Sequence, residues 1–288
     1  VFIKITSRSL KLIFLGLFLG AFSLTFPFLK EFDSIRFPGV LQRIGLVFFL
    51  ASLLYIWGSK RSTFLVIGIL LVGYWLWMGH IPLSGVAPTY ERAINNWANY
   101  IDLKVLGTHM WKSDYDPEGL LSTLPAIASA LLGTLTGDLI RSNTYQKVSL
   151  MLAFGVAMLL LGHLWSLSFP INKALWSPSF VLVSAGLANL CLALLFYVTE
   201  LKKIKLGGVF RKVGLNAIVI YFCASFTAKI FSMISIQGGS LHGYIFNRFF
   251  VYDSIPLESS SLLYALSVCV FYIMFAQLLY KKKVFIKV

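Results

Sequence analysis

Long, continuous apolar runs separated by short polar punctuation make up most of this chain. Runs of membrane-spanning length occur at about 10–29, 38–57, 62–81, 119–140, 147–168, 178–199, 213–236 and 258–280. Continuous runs predict helices; a membrane barrel would alternate apolar and polar positions. The expected fold is all-α: a polytopic transmembrane helix bundle of about eight spanning helices, one domain over 1–288. The long polar passage is the loop 82–118, which leads into the run at 119–140. Within it, PTYERAINNWANYIDLKVLG carries Ala93, Trp97 and Ile101 at helical spacing. That spacing predicts a short amphipathic helix lying along the membrane interface. Asp116-Pro117-Glu118-Gly119 reads as the start of a helix, because Asp is a favoured N-cap and Pro suits the first helical position.

Composition agrees with a membrane protein. The chain has 288 residues, of which 58% are hydrophobic and 12% charged, with a mean hydropathy of +0.81. A soluble domain is nearer a quarter charged. The formal net charge of +14 does not point to nucleic acid, because the cations sit at the ends of apolar runs. Assigning connections alternately to two sides puts sixteen Lys and Arg on one side, among them Lys4, Lys60, Arg141, Lys202, Arg211 and Lys287. Seven fall on the other: Lys30, Arg36, Arg92, Lys104, Lys112, Lys173 and Arg248. The richer side is expected to be cytoplasmic, with both termini inside and the loop 82–118 outside. Cys191, Cys223 and Cys269 lie in apolar runs without a CxxC pair, and the histidines show no HExxH-type spacing. Neither a disulfide framework nor a metal site is expected.

Two groups of polar residues carry candidate chemistry. Arg43, just inside the run that follows Pro38, and Lys229, in FTAKIF, are ionisable groups within spans. Such groups normally face the bundle interior, pair, or line a cavity. Gln42, Arg36 and Lys173 belong to the same outer side, as does Trp176, and the loop above them holds Asp114, Asp116 and Glu118. This is a cation-rich outer pocket under a carboxylate-rich loop, suited to a polar or anionic substrate group. The bland reading is an ion-pair network that holds the loop down. His109, five residues from Asp114, is a candidate general base. On the inner side, VFRKVGLNAIVIYF places Arg211 and Lys212 beside a helix start, a setting suited to phosphate, with Asn216 one turn on.

The segments RFPGVLQRIG (36–45), NYIDLKVLGTHMWKSDYDPEGLLSTLPAIASALLGTLTG (99–137), FPINKALWSPSFVLVSAG (169–186) and FRKVGLNAI (210–218) resemble the heparan-alpha-glucosaminide N-acetyltransferase family and its bacterial relatives. The resemblance runs in order along most of the chain, and YDPEGLLSTLPAI and PGVLQRI are its most specific parts. It implies a transmembrane acetyltransferase that takes acetyl from cytosolic acetyl-CoA and passes it to a sugar amine or envelope glycan on the far side. Arg43, Arg211, Lys212 and Asn216 would then serve acetyl-CoA, and Arg36, Gln42, Lys173 and Trp176 the acceptor. Asp116, Glu118 and His109 would act as positioning and supporting groups. The expected setting is a bilayer, bacterial plasma membrane, with a homodimer open.

One departure matters. The family's catalytic histidine lies in an outer loop ahead of a TPTDLVFPFF-like helix, and no such segment occurs in this sequence. The chain is therefore expected to be the body of such an enzyme without its first two spans, which leaves its own activity open. The alternative is a non-catalytic membrane transport or binding protein for an anionic or glycan-related solute.

Overall fold

The computed structural model describes residues 1–142, 146–205 and 207–286. Lys287, counted above with the basic side, lies outside them. The described residues are almost entirely helical and form two compact units, one of 1–20 and 31–204, the other of 21–30 and 205–288.

The first unit holds α1 (Phe2–Ala21), α2 (Val40–Trp57), α3 (Lys60–His80), the short α4 (Trp97–Leu106), α5 (Thr123–Arg141), α6 (Lys147–Ser166) and α7 (Pro178–Phe196). α2, α3, α5, α6 and α7 are each long and apolar enough to cross a membrane. Their ends carry clear signals. Ser59 caps α3 in a reciprocal capping box with Ser62, and Ser177 caps α7 ahead of Pro178. α6 and α7 form a tight antiparallel pair. A Cβ on Gly186 would sit 2.8 Å from the carbonyl oxygen of Gly155, and one on Gly162 would sit 2.7 Å from Val183. Small residues let these backbones approach where lipid gives no hydrophobic drive to helix association. The core between α2, α3, α5 and α7 is built on Leu71, Ala128, Leu131 and Val181.

Contacts place three connections at one end of this unit. Phe37 N donates to the His109 carbonyl at 3.0 Å, and Trp97 Nε1 donates to the Ile81 carbonyl at 2.8 Å. Tyr74 Oη donates to the Leu175 carbonyl at 2.7 Å, and Tyr90 stacks on Phe169 at 3.8 Å. The segments around 36, 82–118 and 169–177 therefore meet at what is here termed the loop end. The opposite, basic end carries Lys60, Arg141 and Lys147, at the starts of α3 and α6 and the end of α5.

The second unit holds α8 (Gly208–Gly214), α9 (Ala217–Met233), a two-residue hairpin of β1 (Ser235–Ile236) and β2 (Gly239–Ser240), α10 (Leu241–Phe249) and α11 (Leu257–Lys281). α11 meets the spanning criteria alone. α8 and α9 meet them only as a pair bent by 76°.

Several expectations are corrected. Eight runs were expected to span; among the described residues six helices are long and apolar enough to do so, or seven if the bent pair counts as one. The first run forms a helix earlier than expected, over Phe2–Ala21, and its first turns carry Lys4, Arg8 and Lys11. It stops before 29 because Phe22 and Leu29 pair across a turn that contains Pro27. The interfacial helix is shorter than its apolar pattern suggested. It starts only at Trp97, where the Asn96 side chain accepts from Ala98 N and Asn99 N, and its buried face is Ala98, Asn99 and Asp102. Asp116-Pro117-Glu118-Gly119 forms a turn, not a helix start. Asp116 Oδ1 accepts from Glu118 N at 2.9 Å, and α5 begins at Thr123.

Candidate active site at the loop end

Arg36 is the clasp of the loop end. Its Nε donates to Asp116 Oδ2 at 2.8 Å and its Nη2 to Asp116 Oδ1 at 2.6 Å. Nη2 also reaches Glu118. Asp116 is 3% exposed, and its Oδ2 also accepts from Trp111 N at 2.8 Å. Burial works against the charge on Arg36, yet Asp116 and Glu118 outweigh it and hold the guanidinium above its ordinary pKa. This planar, two-pronged pairing is the strong form of a carboxylate–guanidinium contact. Arg36, Asp116 and Glu118 thus spend their charge on one another. Asp114 pairs instead with Arg92 at the surface, its Oδ2 2.8 Å from Arg92 Nε, and that guanidinium draws its pKa down.

His109 sits against this clasp without a carboxylate partner among the described residues. Its ring stacks on Phe37 with centroids 3.9 Å apart, and its Nδ1 lies 2.7 Å from the Ile35 carbonyl oxygen. A carbonyl only accepts, so Nδ1 carries a proton.

Arg43 lies in the first turn of α2 and is 6% exposed. Its Nη2 donates to the Gly119 carbonyl at 3.1 Å and to Ser122 Oγ. Its Cζ stands 5.0 Å from the Trp176 ring centroid, a cation–π distance. Arg43 Nε and Nη1 are buried without a hydrogen-bond partner among the described residues. Trp176 is held with φ at +52°, donates from Nε1 to Ser129 Oγ at 3.0 Å, and so ties the segment before α7 to α5. A tryptophan in the left-handed region is a strained placement of the kind that clusters at functional sites.

Asp102, on the inner face of α4, is a site residue that the apolar pattern hid. It is 1% exposed and accepts from Leu120 N at 2.8 Å through Oδ1. Burial is the main cause that raises its pKa, to about 6; the Leu120 hydrogen bond and Arg43 pull against it and Asp116 adds to it. The signal in the sequence was the pair Asn99 and Asp102, three residues apart beside Ala98, which marks a polar buried stripe.

A cavity of about 230 Å³ opens at the same end, lined by Tyr90, Glu91, Arg92, Asn99, Tyr115 and Asn172 among others. Burial, then the neighbouring Glu118 and Asp116, push the Tyr115 phenol pKa up. The other outer candidates lie apart from this polar group. Lys173 is exposed on its turn. The Gln42 side chain turns toward α1, into the space left by the missing side chains of Gly16 and Gly39.

The second unit uses its polar residues differently. Asn216 N-caps α9 at the bend, donating from Nδ2 to the Val284 carbonyl and accepting from Ile286 N through Oδ1, each at 3.0 Å. Both ends of its amide are occupied by the chain after α11. Arg211 and Lys212 stand in the last turn of α8, not at the start of the longer helix, and Lys212 Nζ lies 5.7 Å from the Tyr280 ring centroid. A 490 Å³ cavity between α9, α10 and α11 is lined mostly by apolar groups, with His242 and Tyr264 at its polar side. It lacks the convergent charges of the loop end.

Fold and site together define a polytopic helical membrane protein with a buried polar cluster at one end of its larger unit. No family model matches the chain. It is similar to heparan-alpha-glucosaminide N-acetyltransferase of Homo sapiens, 28% identical over 246 residues, which covers 66% of this chain and 37% of that protein. The Mus musculus protein of the same name is 27% identical over 246 residues with the same coverage. The chain thus spans well under half the length of these curated relatives.

Proposed function

We propose that this chain is the body of an enzyme that moves acetyl from acetyl-CoA on the basic, cytosolic side of a bacterial plasma membrane to a sugar amine or envelope glycan at the loop end. Both termini of the chain are then cytosolic. The observation that carries the reading is Arg43: a buried guanidinium on a fixed platform, whose Nε and Nη1 have no hydrogen-bond partner among the described residues. Acyl transfer builds negative charge on the carbonyl oxygen in the tetrahedral transition state. Preorganised donors in a water-poor site are the largest single source of its stabilisation. The surrounding clasp of Arg36, Asp116 and Glu118 positions the loop, and the neighbouring cavity presents tyrosine faces, amides and a carboxylate suited to a polar, amine-bearing ring. His109, held beside the clasp by Phe37 and the Ile35 carbonyl, supports the acceptor side.

The test is transfer in membranes. With labelled acetyl-CoA and a glucosamine-type acceptor, label should reach the acceptor, and it should not when the acceptor is omitted. Movement of an intact solute without acetyl transfer would replace this reading with a transport protein.

A further inference from the structure

The second unit gathers cations at one end. Arg211 and Lys212 stand on α8, while Lys281 ends α11 and Lys282 and Lys283 follow it. All but Lys212 are exposed. Across its 25 residues α11 rises about 37 Å, more than the roughly 30 Å of a bilayer's hydrocarbon core. The acids of this unit, Asp253 and Glu258, lie before α11 and in its first turn, at the far end of that span.

Specific contacts bring the five cations together. α8 packs against α11, and Lys212 Nζ lies 5.7 Å from the ring centroid of Tyr280 in the last turn of that helix. Lys283 takes φ of +55°, and its N–H donates to the Tyr280 carbonyl at 3.0 Å, which turns the chain back. The Asn216 amide then bonds Val284 and Ile286, holding the returning chain beside the bend between α8 and α9. The positive-inside rule accounts for cations flanking a span. It does not account for a left-handed lysine and a buried amide that fold them onto one surface.

Apolar side chains stand among these cations and face outward. Phe210 is 77% exposed, and Leu215, Phe285 and Ile286 are exposed as well. With α9 across the bilayer, its 76° bend from α8 lays α8 near the plane of the interface. Basic residues interleaved with outward apolar ones suit that depth, where cations meet phosphates and apolar groups enter the acyl boundary. Juxtamembrane clusters of roughly four to eight Lys and Arg attract anionic lipid headgroups.

We infer that α8 and the chain folded back after α11 form a binding surface for the headgroup of an anionic phospholipid. The lipid phosphate sits among Arg211, Lys212, Lys281, Lys282 and Lys283, with Phe210 and Phe285 set into the acyl layer. Cations that the sequence offered to the phosphates of an acetyl donor are thus given to the membrane. The inference stands on the second unit alone and does not depend on the acetyltransferase reading.

The test is thermal-shift titration of the full chain in detergent with phosphatidylglycerol, phosphatidylcholine and inorganic pyrophosphate. Phosphatidylglycerol should raise the Tm of the wild type at lower concentration than either of the others. Lys281→Gln, Lys282→Gln and Lys283→Gln combined should raise its half-saturating concentration fivefold or more, as should Arg211→Gln with Lys212→Gln. Lys4→Gln, Arg8→Gln and Lys11→Gln combined remove three charges from α1 and should leave that concentration unchanged. Asn216→Ala keeps every cation but releases the returning chain, and should weaken the lipid as the lysine set does; if it fails to fold, the two glutamine sets decide. An equal loss in the α1 set, or wild-type lipid binding in the two glutamine sets or in a folded Asn216→Ala, would overturn the inference. A pyrophosphate shift that matches and competes with that of phosphatidylglycerol would replace the lipid with a free phosphate ligand.

Discussion

Arg36 and Asp116, 80 positions apart in sequence, are joined by two parallel hydrogen bonds of 2.8 and 2.6 Å at the loop end of the bundle. This pairing converts a long acidic loop into a fixed wall. Asp116 is fully enclosed, so its charge is balanced by Arg36 and by the backbone N–H groups of Trp111 and Glu118. Asp116→Asn keeps an acceptor for only one of these two backbone N–H groups and removes the ionic contact. It should cost on the order of 2–3 kcal/mol of stability, the range for a hydrogen bond to a charged group left without its partner. Limited proteolysis within 82–118 should accelerate in the variant. Wild-type Tm and cleavage rate would show that the clasp does not hold the loop.

Asp102 should give the protein a pH dependence opposite to that of most carboxylates. Its folded pKa, about 6, lies above the ordinary value of 3.8. Between those values the folded state holds a proton that the unfolded state has lost, so stability falls as pH rises. The penalty is absent below about pH 4 and complete above about pH 6, and totals on the order of 2–3 kcal/mol at about 1.4 kcal/mol per pKa unit. Asp102→Asn keeps the acceptor for Leu120 N and carries no charge. Its Tm should be at least that of the wild type at pH 7, and the difference between the two proteins should shrink toward pH 4. A wild-type Tm that rises between pH 4 and 6 no less steeply than that of Asp102→Asn would refute this assignment.

The spans α2, α3, α5, α6, α7 and α11 were legible because each is one uninterrupted apolar run, and hydrocarbon admits few alternatives to a helix there. What escaped the pattern is local. Three cations in the first turns of α1 do not stop a helix, so its start could not be read from hydropathy. The bend at Leu215 and Asn216 depends on the Asn216 amide finding Val284 and Ile286, contacts with the far end of the sequence. At the site, Arg36 and Arg43 stood out as ionisable groups in or beside apolar runs. Asp102 did not, since Ala93, Trp97 and Ile101 suggested a different buried face.

Arg43 should prove sensitive to shape as well as charge. Arg43→Ala removes Nε and Nη1 together with the contacts to Gly119 and Ser122. If the guanidinium receives the developing oxyanion, kcat in membranes should fall about 10²–10³-fold. Arg43→Lys keeps the charge but loses the planar fork and its stacking on Trp176, and should not restore the rate. Both variants should still fold, judged by a monodisperse elution profile in detergent. Wild-type turnover in Arg43→Ala would remove this residue from the site.

Gly119 and Asp102 are in direct contact, and that contact can be tested by pairing substitutions. A Cβ added at Gly119 would fall on the Asp102 carboxylate. The same residue gives its carbonyl oxygen to Arg43, Ser122 and Thr123, so it has little freedom to move aside. Gly119→Ala should therefore destabilise the protein by about 1–3 kcal/mol, the usual range for overpacking. Asp102→Asn in the same chain should not relieve it, because the amide fills the same space. Asp102→Ala should relieve most of it, so that the double variant is more stable than the two single effects would add to. Additive losses in Gly119→Ala with Asp102→Ala would mean that the two residues do not share this space, and that the packing of α4 on the start of α5 is set elsewhere.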